Sequence, residues 1–227
     1  MIYLDKVSKQ YRAGDVGLND VSLSIAQGEF VTIVGHSGAG KTSLIKILLA
    51  EEKPTHGKVF FDSVDMTRIR PNKLNQFRRR IGVVFQDFRL LPNKTVFENV
   101  AFAMQAAGKT DREIRDDVPY VLQLVGLAEK TDRFPNDLSG GQQQRVAIAR
   151  AIVNQPDVII ADEPTGNLDA QNTAEIIAIL KKINELGTTV LLTTHDEQVL
   201  SHVDKRVITM AGGRIVSDEE KPSNTSV

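Results

Sequence analysis

The sequence predicts an α/β fold, a mostly parallel sheet covered on both faces, and three observations carry that expectation. Short, continuous apolar runs at Phe30–Val34, Ile81–Phe85, Val158–Ala161 and Thr189–Thr193 alternate with stretches of helical periodicity. Such runs suit strands buried on both faces, and their alternation with helices suits parallel order. Each run is followed at once by polar or glycine-rich residues: Gly35–Thr42, Gln86, Asp162-Glu163 and His195. Ligands of open parallel sheets gather at the carboxyl ends of the strands, so one fold rule brings four polar elements to one rim. The third observation is a change of character from Asp87 to about Gln155, where helical periodicity takes over. That segment reads as an α-helical subdomain inserted into the core.

The elements follow in order. Ile2–Val7 and Val21–Ile25 alternate apolar and polar residues, the pattern of half-buried strands, with a turn-rich segment around Gly14 and Gly17 between them. A helix opens at Lys41 and carries the apolar residues of Leu44–Leu49. Pro54–Gly57 is a turn, Lys58–Asp62 a strand and Pro71–Arg80 a short helix ending in three arginines, a basic run of the solvated kind. Thr95–Ala107 and Asp111–Val125 are helices separated by Gly108. A third helix runs over Gln142–Asn154, with Ser139 as its N-cap and Pro156 behind its end. Gln171–Leu186 is a helix ending near Gly187, and Val207–Met210 with Arg214–Val216 form a final hairpin around Gly212-Gly213. The expected organisation is one domain over 1–227. Its core is 1–86 and 156–216, its helical subdomain 87–155 and its polar tail 217–227.

Composition narrows the function. Of 227 residues, 41% are hydrophobic and 25% charged, and the net charge is −1. That balance lacks the basic footprint of a nucleic-acid binder. There is no cysteine, which excludes disulfides and thiolate metal sites. Met1–Lys6 has no signal-peptide core, and no apolar run approaches the length that spans a bilayer. A role at a membrane therefore calls for a second chain.

Gly35-His36-Ser37-Gly38-Ala39-Gly40-Lys41-Thr42 has the spacing G-x-x-x-x-G-K-[ST] between strand and helix, the P-loop pattern. The glycines let backbone N–H groups close on phosphate oxygens, and the helix dipole points at the same anion. Lys41 adds charge for the β- and γ-phosphates. Thr42 offers a hydroxyl to Mg²⁺, and Asp162 suits the same metal through a water. Glu163, next along the chain, points elsewhere and suits a general base on the attacking water. Gln86 can reach both metal and water through its amide, and His195 can donate to a γ-phosphate oxygen. Ser139-Gly140-Gly141-Gln142 exposes N–H groups at a second helix start and makes a second anion site. Two such sites for one nucleotide suggest head-to-tail chains, each P-loop covered by the other's Ser139 segment, in a two-fold interface. Tyr11, read on its own segment, is a packing residue.

The P-loop, Gln86, Leu138–Gln142 (LSGGQ), Val158–Glu163 (VIIADE), Asn167-Leu168-Asp169 and His195 stand in the order and spacing of ABC-transporter ATP-binding subunits, and the sequence is identified as a member of that family over about 1–216. The resemblance implies a RecA-like P-loop NTPase core, a small antiparallel β part and the inserted helices. It implies ATP and Mg²⁺ as cofactors and an ATP-dependent homodimer. It makes Tyr11 the adenine-stacking aromatic, adds Ser43 to the nucleotide contacts, and gives Asp169 a role in communication across the dimer. Ala161–Asp169 resembles the branch of lipoprotein-release, macrolide-export and cell-division ATPases, and Gly35–Lys41 with Phe77–Leu91 is similar to its cell-division members. That implies an integral membrane partner at the cytoplasmic face of the cell membrane, with peptidoglycan hydrolases and other division proteins at one remove. A lipoprotein or macrolide/peptide exporter is the alternative. Coupling to the membrane partner is expected near Gln86–Val100, with Phe88, Leu90 and Leu91 either contacting it or packing internally.

Overall fold

A computed structural model describes residues 1–11, 14–203 and 205–220. In chain order the elements begin with β1 (Ile2–Gln10), β2 (Val16–Ile25), β3 (Phe30–Val34), α1 (Lys41–Leu48), β4 (His56–Phe61), β5 (Val64–Asp65), α2 (Pro71–Arg78) and β6 (Ile81–Phe85). The helical stretch holds α3 (Val96–Ala106), α4 (Asp111–Leu124) and α5 (Gly140–Ile152). The chain closes with β7 (Val158–Asp162), α6 (Ala170–Glu185), β8 (Thr189–Thr194), α7 (Glu197–Ser201), β9 (Arg206–Ala211) and β10 (Arg214–Glu219).

Two sheets form. The larger has the order β10-β9-β3-β8-β7-β6, parallel throughout except for β9 with β10. The smaller, β2-β1-β4-β5, is antiparallel. The apolar runs are buried on both faces because side chains alternate across the sheet. Val31, Ile33, Ile160 and Leu191 face α1 and the small sheet, whereas Phe30, Ile159, Ala161, Val190 and Leu192 face the helices. The second of these clusters also holds Val96, Val100 and Met104 of α3 and Ile148 of α5, so the helical segment shares its core with the sheet.

Helix starts are encoded locally. Thr95/Glu98, Thr110/Glu113 and Ser139/Gln142 each form a reciprocal capping box at the head of α3, α4 and α5. Ser139 is the N-cap that the sequence predicts, although α5 begins two residues before the expected Gln142. β1 and β2 run longer than their alternating patterns suggest, because the paired edges continue to hydrogen-bond past the apolar residues. β10 extends to Glu219, so the first residues of the expected tail are strand: the Arg206 guanidinium clamps Asp218 and Glu29 and reaches Ser24 O. Residues 221–227 of that tail lie outside the described residues.

The segment after β6 is held by one fully buried amide. Asn99 Oδ1 accepts from Leu91 N at 2.8 Å, while Nδ2 donates to the carbonyls of Leu91, Lys94 and Thr95 at 3.1, 2.9 and 2.9 Å. Leu90 packs on the main cluster from this segment. Asn99→Ala would strand those groups away from water and should lower the unfolding free energy by roughly 1–3 kcal/mol, measured by denaturant titration.

Candidate functional site

Parallel register builds the site. Val34 pairs with Thr194, Asp162 with Thr193, and Phe85 with Asp162. The strands therefore end level, and Gly35, His195, Glu163 and Gln86 emerge side by side on one rim, as the sequence predicts.

The P-loop has the geometry its glycines require. Gly38 and Gly40 sit at φ 80° and 106°, in the left-handed region. A Cβ on Gly40 would lie 2.6 Å from Gly17 O, so the loop is also closed to side chains. His36, Ser37 and Gly38 form an exposed tip, and Ala39 is buried beneath it. Lys41 is buried to 5% exposure, and its ammonium donates to Gly35 O at 2.5 Å and His36 O at 3.3 Å. Thr42 is exposed on the rim side of α1.

Glu163 is the hub of the acidic side. Its φ is 47°, a left-handed backbone that a non-glycine residue rarely holds. The two adjacent carboxylates have different partners: Glu163 meets Lys41 and His195, and Asp162 meets the Thr193 hydroxyl. Oε1 lies 3.5 Å from Lys41 Nζ, and Oε2 lies 3.0 Å from His195 Nδ1. Its backbone N–H is anchored on Thr193, 3.1 Å from the carbonyl and 3.2 Å from the hydroxyl. The same hydroxyl donates to Asp162 Oδ1 at 2.7 Å. Burial pushes the Asp162 carboxyl above its usual range, against the Thr193 hydrogen bond, and the neighbouring Glu163 charge adds to the rise.

Gln86 lies across the turn after β7. Its amide donates to Asn167 Oδ1 at 3.4 Å, and a Cβ on Gly166 would come within 2.6 Å of that amide nitrogen. Tyr11 reaches the far side of the P-loop, where its hydroxyl lies 3.1 Å from Ser43 Oγ and Lys9 Nζ sits 5.3 Å from its ring centre. The aromatic thus stands beside the phosphate loop, while its packing partner is the helix that the loop opens.

Ser139 and Gln142 engage each other in their capping box, and the Gly140 and Gly141 positions abut Leu168 and Asn172. Among the described residues no hydrogen bond or ion pair joins 139–142 to 35–43. One chain therefore carries two anion-suited helix starts that do not converge. Asp169 caps α6, with one oxygen accepting from Asn172 N and the other from Asn172 Nδ2, both at 2.8 Å. Thr193, Gly166 and Asn167 complete the site without having been assigned roles from sequence. Thr193 reads as part of a buried strand, and only its polarity at the strand end could have marked it.

The residues fit a nucleoside triphosphate with a hard cation. The loop amides and Lys41 offer positive potential to phosphates. Among the described residues no group of three or more His, Cys, Asp and Glu side chains could by itself hold a metal. The rim supplies one hydroxyl, one carboxylate and one amide, a sparse oxygen set of the kind Mg²⁺ completes with phosphates and waters.

Comparison with known proteins agrees with this geometry. Residues 18–166 match the family model for the ABC transporter. The chain belongs to the ABC transporter family. Over 221 residues it is 50% identical to the cell division ATP-binding protein FtsE of Bacillus subtilis, covering 97% of each chain. Over 225 residues it is 46% identical to the methionine import ATP-binding protein MetN 2 of Salmonella choleraesuis, covering 97% of this chain and 67% of that one. A dimeric ATP-binding cassette in a post-hydrolysis state, bound to ADP and Pi, superposes with TM-score 0.87 and 38% identity, over 98% of this chain and 100% of that one. The ABC ATPase fold and the ATP-hydrolysing class expected from sequence are both met.

The raised carboxyl of Asp162 has a stability consequence with a definite sign. A carboxyl whose folded pKa exceeds its unfolded value binds more protons in the folded state, so ionising it costs stability as pH rises through the folded value. Asp162→Asn should therefore melt at a higher temperature than the wild type at neutral pH without nucleotide. The gap should close as pH falls into the carboxylate range, as followed by calorimetry.

Proposed function

We propose that this ABC ATPase is the cytoplasmic, peripheral subunit of a bacterial cell-division complex and docks on an integral membrane protein of the FtsX type. The observation that carries this reading is the similarity to FtsE, at half identity and over nearly the full length of both chains. No helix among the described residues is long and apolar enough to cross a membrane, in keeping with a membrane part supplied by another chain. ATP turnover would be transmitted through that partner to peptidoglycan hydrolases outside. A groove of about 400 Å³ beside Phe102, Leu91 and Arg89 lies next to the expected coupling segment. Leu91 lines the groove and would face the partner, whereas Leu90 packs on the core and Phe88 lies beside Gly140 of the signature segment.

Each chain contributes to two nucleotide sites. Lys41 and the amides of 35–43 hold the phosphates, and Tyr11 stacks on the adenine after leaving Ser43. Thr42, Asp162 and Gln86 would hold Mg²⁺, which would supply charge neutralisation for the phosphates. Glu163 takes a proton from the attacking water, and its bond to His195 aligns it while His195 is placed to donate to the γ-phosphate. Ser139, Gly140, Gly141 and Gln142 close on the partner's nucleotide, and Asp169 lies along the same seam. The helical segment 87–155 moves as the subdomain that carries this closure.

A second reading, the energising subunit of a transporter, is favoured by the importer relatives, although the match covers only 67% of their length. Purifying the Glu163→Gln chain with ATP and Mg²⁺ from detergent-solubilised native membranes separates the two. An FtsX-like protein identified by mass spectrometry supports the division reading, and a transport permease replaces it.

Glu163→Gln should bind ATP, turn over at least about a hundredfold more slowly and persist as a dimer. Lys41→Ala should lose nucleotide affinity instead. Phosphate release assays and equilibrium binding of a fluorescent ATP analogue distinguish these outcomes, and wild-type turnover by Glu163→Gln would reassign the base.

A further inference from the structure

The segment that follows Gln86 is bent in a costly way. Phe88 and Arg89 have φ of 56° and 50°, two consecutive non-glycine residues in the left-handed region. Such residues occur there singly and persist only where their surroundings hold them. Locally, Arg89 N donates to Asp87 O at 2.5 Å, and the Arg89 guanidinium lies 3.7 Å from the Phe85 ring centre. Those contacts return the bend onto the end of β6, and Asn99 holds the chain further on at Leu91, but neither bonds the carbonyls of Phe88 and Arg89.

The tie comes from the last turn of α5. Arg150 Nη1 donates to Arg89 O at 2.6 Å, and Nη2 donates to Phe88 O at 2.9 Å. Both strained peptides are thus held by one planar fork, a geometry that suits arginine and not lysine. Among the described residues Arg150 makes no ion pair, so its bonding is spent on these two carbonyls. Burial disfavours its charge, as it would for any cation lacking a carboxylate partner. The same helix makes a third contact one turn from its start: Gln144, fully buried, donates to Phe85 O at 3.4 Å. A half-buried guanidinium without a counter-ion adds little to stability by itself. A defined position for the loop is what it provides.

We propose that Arg150 is a positioning residue that latches the Phe88-Arg89 bend and so sets Gln86 in the catalytic site. The latch links two ends of the machinery. α5 begins at the Ser139 signature segment and ends at Arg150, so a shift of the helix moves the loop carrying Gln86 with it. Movement at the adjoining groove, lined in part by Arg89, Leu91 and Arg150, is felt at Gln86 by the same path. This inference rests on the reading of Gln86 as a residue that contacts metal and water in an ATPase.

The test uses the full chain and three variants. Arg150→Met keeps the aliphatic stem and removes the fork. Arg150→Lys keeps the charge and loses the bidentate geometry. The third combines Arg150→Met with Phe88→Gly and Arg89→Gly, which allow the left-handed bend without steric cost. Arg150→Met should bind the fluorescent ATP analogue as the wild type does, which also reports its fold, while kcat falls about tenfold and KM for Mg-ATP stays within about twofold. Arg150→Lys should fall between the two. The glycine pair should recover part of the lost kcat, a result that a merely packing role for Arg150 would not give. Unchanged kcat in Arg150→Met, or a loss that the glycines leave untouched, overturns the latch. Absence of ATPase activity in the wild type would instead strike the underlying reading.

Discussion

The level ends of the parallel strands are the constraint on which the rest depends. Ile33, Thr193, Asp162 and Phe85 occupy one line across β3, β8, β7 and β6, and β3 and β8 run one residue further. Neighbouring strands are about 4.8 Å apart, so the residue after each strand is delivered within side-chain reach of the next. A one-residue slip of β7 would turn Asp162 and Glu163 to the wrong faces. Backbone pairing thus does the coarse positioning, and burial of Ile159, Ile160, Leu191 and Leu192 on alternate faces fixes it.

Fine positioning is done by strain and by buried polar groups. Glu163 is held left-handed by a bifurcated N–H bond to Thr193 and faces Lys41 on one side and His195 on the other. Phe88 and Arg89 are held left-handed by Arg150. In both places an unfavourable backbone is kept by a side chain from a neighbouring element. Both follow adjacent strands at the same rim, one carrying the carboxylate after β7 and the other leading from Gln86 after β6. The tight loop 35–40 follows the same logic with glycines, which need no such support.

Much of this was legible in the chain. Strand–loop–helix order, the P-loop spacing and the polar residue after each apolar run follow from periodicity and residue type, and the register then brings them together. What was not legible depends on side-chain contacts that periodicity does not encode, some of them distant in sequence. Thr193 reads as one more residue of a buried strand until Asp162 is paired beside it. Asn99 reads as a polar interruption of a helix until the chain from Leu91 folds back over it. Arg150 reads as an ordinary basic residue near a helix end until the bend at Phe88 meets it. Short elements such as β5 and α7 escaped because five residues or fewer carry too little periodicity.

In the proposed function a working site is made from two chains, since the P-loop and the Ser139 segment of one chain stand apart. Complementation tests it most directly. A chain with Lys41→Ala and a chain with Ser139→Arg are each prepared and assayed alone, then mixed at equal concentration with ATP and Mg²⁺. Head-to-tail pairing places both defects in one site of the mixed dimer and leaves the other whole, so activity should appear in the mixture where neither chain has any. A mixture as inactive as its components, with wild-type turnover per chain independent of protein concentration, would contradict the account.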